Sequence, residues 1–223
     1  MNVLELFAGS RSIGKVAEEY GHKVYSSDIE DFGSIDYVVD VLNFDISKVP
    51  FIPDMIWASP PCTSFSVSAI GRHWNHNNTP KSQAAVLGVK MVGKTLEIIN
   101  HFIAINPDLI FYIENPRGKL RSLPVLSHLE RVTVWYCRYG DTRAKPTDIW
   151  SNNIYNPMFN PNSWKPRPEC WNNNNNCHHD KQPRGYAAKV AAGVIGKGTQ
   201  GLANNHERSK IPYELCKDII LNL

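Results

Sequence analysis

The 223-residue chain has few cysteines, no long apolar run, no strong charge of one sign and no recognisable nucleotide fingerprint. Its five cysteines, at positions 62, 137, 170, 177 and 216, are odd in number and irregularly spaced, unlike a secreted disulfide framework. They fit a protein of a reducing compartment. No apolar stretch approaches the roughly 20 residues needed to cross a bilayer. The first apolar run, residues 3–7, follows Met-Asn with no basic segment or small-residue cleavage pattern, so no leader is expected. Lys and Arg number 24 against 21 Asp and Glu, a net charge of +3. Bulk charge therefore neither demands nor excludes a nucleic-acid partner, and any phosphate-binding surface must come from local clustering. The G-x-G-x-x-G spacing of dinucleotide sites and the Gly-Lys-Ser/Thr of P-loops are both missing, which disfavours a dehydrogenase or a nucleotide hydrolase.

What is present suits a globular core: 42% hydrophobic and 20% charged residues. Short apolar runs at residues 3–7, 22–26, 37–41, 54–58 and 109–113 read as strands. Helical patterns fill residues 12–20, stopped by Gly21, and residues 81–106. Residues 132–137 and 147–150 read as a late hairpin, and a last helix begins near Pro212 with Ser209 as its cap. Alternating strands and helices imply an α/β fold, a mostly parallel sheet covered on both faces. Ligands of such sheets bind at the carboxyl ends of strands. Gly9, Asp28, Asp40, Cys62 and Glu114 all fall there.

Each of these positions suggests chemistry. Gly9 lets a ligand approach the backbone, and the helix after it offers free amides. Asp28, with Glu30 or Asp31 nearby, is placed to accept from ribose hydroxyls, and Asp40 from an adenine amino group. In Ser59-Pro60-Pro61-Cys62-Thr63-Ser64, two prolines fix the chain leaving a strand and deliver a thiol to the sheet edge. A free thiol has a pKa of about 8.5, so a nucleophilic role needs a lowered pKa or proton transfer during attack. Glu114-Asn115-Pro116 would bring a carboxyl to the same edge. A thiol and an acid together can activate a pyrimidine ring.

These segments, in this order, resemble the motifs of the cytosine-C5 DNA methyltransferase family, small phage-type members in particular. Leu6-Phe7-Ala8-Gly9 resembles its cofactor loop, Pro60-Pro61-Cys62 with Phe65-Ser66 its nucleophile motif, and Glu114-Asn115 its Glu-Asn motif. Arg143-Ala144-Lys145 resembles its basic motif with Lys for Arg, and residues 208–212 its C-terminal segment. The departures are Ser10-Arg11-Ser12 where glycine is usual, Pro116 for Val, and Asp141 for the Gln of the basic motif.

The resemblance implies a Rossmann-like methyltransferase sheet using S-adenosylmethionine. Its cofactor-binding residues would be Phe7, Ala8, Gly9, Ser10, Arg11, Ser12, Asp28, Ile29, Asp40, Val41, Pro60 and Ser209. It implies Cys62 attacking C6 of a flipped cytosine, Glu114 contacting N3 and the exocyclic amine, Asn115 orienting the site, and Arg143 and Lys145 near the base or its phosphate. It further implies double-stranded DNA as partner, a monomer, and action in the cytoplasm of a bacterial host. A partner restriction enzyme is left undetermined.

Residues 1–151 would form the catalytic and cofactor domain, 152–207 a loop-rich target-recognition region reading about two to four base pairs, and 208–223 a helix packing back. Candidate phosphate contacts are Arg72, His73, Lys81, Lys165, Arg167, Lys181, Arg184, Lys197 and Lys210. Residues 70–81 suggest a mobile loop over the base, and Gly198-Thr199-Gln200-Gly201 a phosphate or base contact. Cys170, Cys177, His178 and His179 are candidates for a structural zinc, although Cys-x6-Cys-His-His is not a usual finger spacing; the alternative is a polar loop. Two rivals keep the class but change the substrate. One is a tRNA cytosine methyltransferase; the other is an amine methyltransferase, which would carry an aromatic where Cys62 stands. A catalytically silent nucleic-acid-binding protein is the rival from another class.

Overall fold

The computed structural model describes residues 1–170 and 208–223. Among the described residues, seven strands form one sheet in the order β3-β2-β1-β4-β5-β7-β6. The strands are β1 (Asn2–Leu6), β2 (Lys23–Asp28), β3 (Tyr37–Val38), β4 (Met55–Ala58), β5 (Ile110–Pro116), β6 (Arg131–Trp135) and β7 (Pro146–Ser151). The run β3-β2-β1-β4-β5 is parallel, and β7 is antiparallel to both β5 and β6. This is a Rossmann-like α/β sheet with a reversed hairpin at one side, as the sequence predicts. No described helix is long and apolar enough to cross a membrane.

Side-chain alternation along the strands sorts the core into two layers. Leu4, Leu6, Ile56, Ala58, Phe111 and Ile113 face one way, against α3 (Gln83–Ile105) and its buried Ala85, Val92, Ile99 and Phe102. Val3, Met55, Trp57 and Tyr112 face the other way, against α1 (Ser12–Glu19), α4 (Tyr213–Ile220) and the buried Trp164. Helix α3 starts where Ser82 accepts a hydrogen bond from the Ala85 amide.

Two sequence-based boundaries move. Strand β3 has two residues rather than five, because Asp40 accepts from the Leu42 amide at 3.0 Å and turns residues 41–43 into a 3-10 turn. Helix α4 is capped by Pro212, not Ser209: the Pro212 carbonyl takes the amides of Leu215 and Cys216. Residue 152, where the loop-rich region is expected to begin, is bonded to the sheet. Asn152 accepts from the Phe111 amide and donates to the Leu109 carbonyl, which holds the chain at the amino end of β5, the edge opposite Glu114. Arg167 then joins Asp218 and Glu214 of α4 in an ion-pair cluster over the Tyr139 ring. It is therefore a strut within the fold and not the phosphate contact expected. Residues 171–207 of the expected target-recognition region lie outside the described residues.

The start of α1 depends on one buried carboxyl. Glu5, in the middle of β1, accepts from the amides of Ile13 and Gly14, both at 3.1 Å. It serves the free amides that a cap side chain would otherwise take. Gly14 makes this possible, since a Cβ there would lie 2.5 Å from the Glu5 carboxylate. Burial pushes Glu5 up to about 7, although the two amides and Arg11 oppose the rise. A raised carboxyl favours folding below its unfolded pKa, and that contribution is lost as pH rises through the folded value. For Glu5 the window runs from 4.5 to about 7. We expect Glu5→Gln to become more stable relative to the wild type by about 3 kcal/mol between about pH 4 and about pH 8, measured by urea unfolding. A stability difference independent of pH would contradict this assignment.

Candidate active site

The carboxyl edge of the parallel strands gathers most of the residues singled out in the sequence. After β1 the chain turns sharply: Phe7, Gly9 and Arg11 all have positive φ, at 56°, 49° and 54°. Two of these three are not glycine, so the loop holds conformations that L residues rarely adopt. The positions where the sequence is short of glycine are held instead by bonds. Ala8 donates to the Ser27 carbonyl and Arg11 to that of Ala8, while the Gly9 amide donates to Asp28 at 2.9 Å. The side chain of Arg11 pairs with Glu18 along α1. The Ser10 and Ser12 hydroxyls bond each other, and Ser12 also accepts from the Ile211 amide, tying the C-terminal segment to this loop. The neighbouring Ser209 is exposed.

Beside the loop lies a shallow open cleft lined by Leu6, Phe7, Ser27, Asp28, Ile29, Val39, Asp40, Val41, Pro61 and Met91. Five predicted cofactor residues meet there: Phe7, Asp28, Ile29, Asp40 and Val41. Two carboxylates among apolar walls suit a nucleoside, whose ribose and base present donors on flat apolar faces. The proline of the cleft is Pro61 rather than the expected Pro60. Pro60 is buried, and its carbonyl accepts from Asn115 Nδ2 at 2.8 Å. Met91 comes from α3 and has no signal in the sequence beyond its helical position.

Cys62 stands just beyond, on the loop leaving β4. Its carbonyl accepts from the Phe65 and Ser66 amides, which turns the chain back and leaves the residue exposed. Enough protein still surrounds the thiol that desolvation raises its pKa. The Glu114 charge raises it further, while Lys145 and Arg208 lower it. These influences place Cys62, Glu114, Lys145 and Arg208 within electrostatic reach of one another. Glu114 is only 5% exposed. Burial raises its carboxyl, opposed by the Lys145 charge and by hydrogen bonds from Tyr136 and Ser59, with Asp148 adding a small upward push.

The basic motif divides its labour. Arg143 is buried, held by Asp141 through its amide and its guanidinium, and it donates to the carbonyls of Arg208 and Lys210. Asp141, which stands where the resembled family has Gln, thus orients this arginine. Lys145 donates to the Arg208 carbonyl at 3.2 Å, and its ammonium sits 4.6 Å above the Tyr136 ring. Lys145 is the cation near Cys62 and Glu114, whereas Arg143 fastens the C-terminal segment.

The 70–81 segment is anchored to the fold at residues 70–74, while residues 75–81 are exposed. Residues 70–73 form a short helix, α2 (Ile70–His73), and Trp74 is buried against Phe65 with its indole donating to the Ser64 carbonyl. His73 is buried and bonded to Ser82, so it is not an available phosphate contact. Lys119 bonds Asn78 and lies over the Trp74 ring. The described residues hold no group of three or more side chains able to bind a metal. Cys170 is buried; Cys177, His178 and His179 lie outside the described residues, as do Lys181, Arg184, Lys197 and residues 198–201.

Comparison with known proteins follows the same lines. The chain is 32% identical over 160 residues, 68% of its length and 71% of the relative's, to a protein of Frog virus 3 (isolate Goorha) named "Probable DNA (cytosine-5)-methyltransferase". This chain belongs to the DNA (cytosine-5)-methyltransferase family. Solved structures similar to it include a methyltransferase of Entamoeba histolytica (TM-score 0.47, 16% identity, 81% of this chain) and the Dnmt2 methyltransferase of S. pombe (TM-score 0.40, 14% identity, 68% of this chain). The chain spans about half of each, 57% and 48%. No protein-family profile matches it.

In this cytosine-5 methyltransferase, Asn115 is the fastener between the two strands that present the thiol and the acid. It is fully buried, follows Glu114, and holds the carbonyl two residues before Cys62. Asn115→Ala would leave the Pro60 carbonyl without its donor. We expect a loss of about 1–3 kcal/mol in unfolding free energy, read by denaturant titration. An unchanged midpoint would show that the bond contributes nothing.

Proposed function

We propose that this enzyme methylates C5 of cytosine in double-stranded DNA, through a covalent bond between Cys62 and C6 of a base turned out of the helix. The observation that carries this reading is that Cys62, on the loop leaving β4, and the buried Glu114 of β5 stand on paired strands at one sheet edge, joined by the bond from Asn115 to the Pro60 carbonyl. Pro61, the residue before Cys62, lines a cleft with two carboxylates and apolar walls. Asp28 and Asp40 would hold the ribose and adenine of S-adenosylmethionine between Phe7, Ile29, Val41 and Pro61. When bound, that cofactor supplies an electrophilic methyl group.

A stacked cytosine hides C6, so the base must be extruded first. The Cys62 sulfur then forms a bond to C6 while the C5=C6 π pair moves onto C5 and the ring. Glu114, in its acid form, donates to N3 and neutralises the charge that attack creates. Its raised pKa keeps that form available to higher pH than for an exposed carboxyl. Cys62 has the opposite requirement, since its thiol is held up by desolvation and must lose its proton to attack. Lys145 lowers both groups and so helps form the thiolate. Once C5 carries the methyl group and the sulfonium donor has become a neutral thioether, the C5 proton would pass to water. Its electron pair restores the double bond, the sulfur leaves as a thiolate, and N3 returns its proton to Glu114.

Exposed Arg72 and Lys81 flank the nucleophile loop, and Lys210 the C-terminal segment. Among the described residues, with the exposed Lys165, they are the candidates for phosphate contact.

The test is transfer of labelled methyl from S-adenosylmethionine to duplex DNA, to the same duplex with cytosine replaced by 5-methylcytosine, and to tRNA. We expect label only in the cytosine duplex, none with Cys62→Ala, and a kcat lower by about 10²–10⁴ with Glu114→Gln. Label entering tRNA but not DNA would overturn the substrate, and full activity of Cys62→Ala would overturn the mechanism.

A further inference from the structure

Tyr136 lies directly beneath the proposed chemistry and has no role in the mechanism above. It begins the 3-10 turn after β6 and is completely buried. Its hydroxyl donates to Glu114 Oε1 at 3.0 Å. One face of its ring carries the Lys145 ammonium at 4.6 Å, and the Arg143 guanidinium lies 5.9 Å from the same ring. The phenol therefore touches both the Glu114 carboxyl and the Lys145 ammonium. A buried tyrosine hydroxyl needs a partner, and here it takes one carboxylate oxygen and fixes the plane of the other.

We propose that Tyr136 is a positioning residue of methyl transfer, which aims the Glu114 carboxyl at the base through its hydroxyl and seats Lys145 beside it on its ring. This inference rests on the function proposed above. The groups facing Glu114 come from several elements. Tyr136 and Ser59 donate hydrogen bonds, Lys145 contributes positive charge, and Asp148 of β7 contributes negative charge. Cys62 on the β4 loop and Cys216 on α4 both respond to the Glu114 charge. Of these, only Tyr136 and Ser59 stabilise the ionised carboxyl by direct bonding, and Tyr136 is the one fully enclosed with it.

Removing the hydroxyl keeps the ring and so preserves the seat of Lys145. Tyr136→Phe takes a donor from the ionised carboxyl, which must then hold its proton to higher pH. The test follows Glu114 by carbon-13 carboxyl titration in the full chain, alongside the pH profile of kcat on duplex DNA. We expect the Glu114 titration and the falling limb of the profile both to move up by about one pH unit, with kcat about tenfold lower and KM within about twofold.

A control replaces Tyr136 alone with a fluorotyrosine, whose more acidic hydroxyl is the stronger donor. It should move the Glu114 titration down, and it gives the answer should the phenylalanine variant fail to fold. A Glu114 titration unchanged in both variants overturns the role of Tyr136. Because the titration is read without turnover, a protein inactive on every substrate would refute the proposed reaction and leave this result standing on its own.

Discussion

A carboxyl group removed from water at the end of a central strand is the constraint on which the site depends. Glu114 is buried at the carboxyl edge of β5, and an isolated charge there would be costly. The surroundings answer that cost from three sides: the Tyr136 hydroxyl, the Ser59 hydroxyl and the Lys145 ammonium. Each partner is itself held. Ser59 accepts from the Trp57 indole, Lys145 rests on Tyr136 and the Arg208 carbonyl, and Tyr136 is enclosed in the core. Next to Glu114, Asn115 reaches across to β4 and fixes the start of the Cys62 loop. The acid and the thiol are thus presented by two adjacent strands joined by a buried hydrogen bond.

The two ends of the chain meet at the same place. Arg143 and Lys145 draw the carbonyls of Arg208 and Lys210 onto the basic motif, and Ile211 bonds Ser12 in the first loop. Helix α4 then packs against α1, with Arg167 bracing it from the other side. The thiol, the acid, the cleft beside the first loop and the C-terminal segment are accordingly parts of one edge. A change in any of the struts should be felt at the others.

Much of this edge was legible in the sequence because strand ends are marked by abrupt changes of residue type. Apolar runs that stop at Asp28, Cys62 and Glu114 announce where a parallel sheet presents its functional groups, and Asp40 follows a run that proved shorter. What the sequence concealed depends on tertiary contacts. Pro60 and Pro61 are equivalent in composition, yet one lines the cleft and the other supplies a carbonyl to Asn115. Tyr136 read as one apolar residue in a strand; its hydroxyl acquires meaning only when β7 brings Lys145 beside it. Arg167 and His73 looked like surface cations; the partner Ser82 accompanies the burial of His73, and Arg167, though still partly exposed, is engaged by Asp218. Residues 70–81 looked slack because Asn and Gly are turn formers, but Trp74 and Lys119 pin them.

The central claim is that Cys62 bonds covalently to the target base under the control of this edge. Its most direct test is the mass of the protein after incubation with S-adenosylmethionine and a duplex in which the target cytosine is 5-fluorocytosine. Fluorine at C5 cannot leave as a proton does, so the sulfur bond to C6 should persist. The account predicts a stable adduct with the wild-type chain, mapped by peptide digestion to Cys62, and none with Cys62→Ala. An adduct of equal yield on the alanine variant, or one mapped to Cys137 or Cys216, would contradict it.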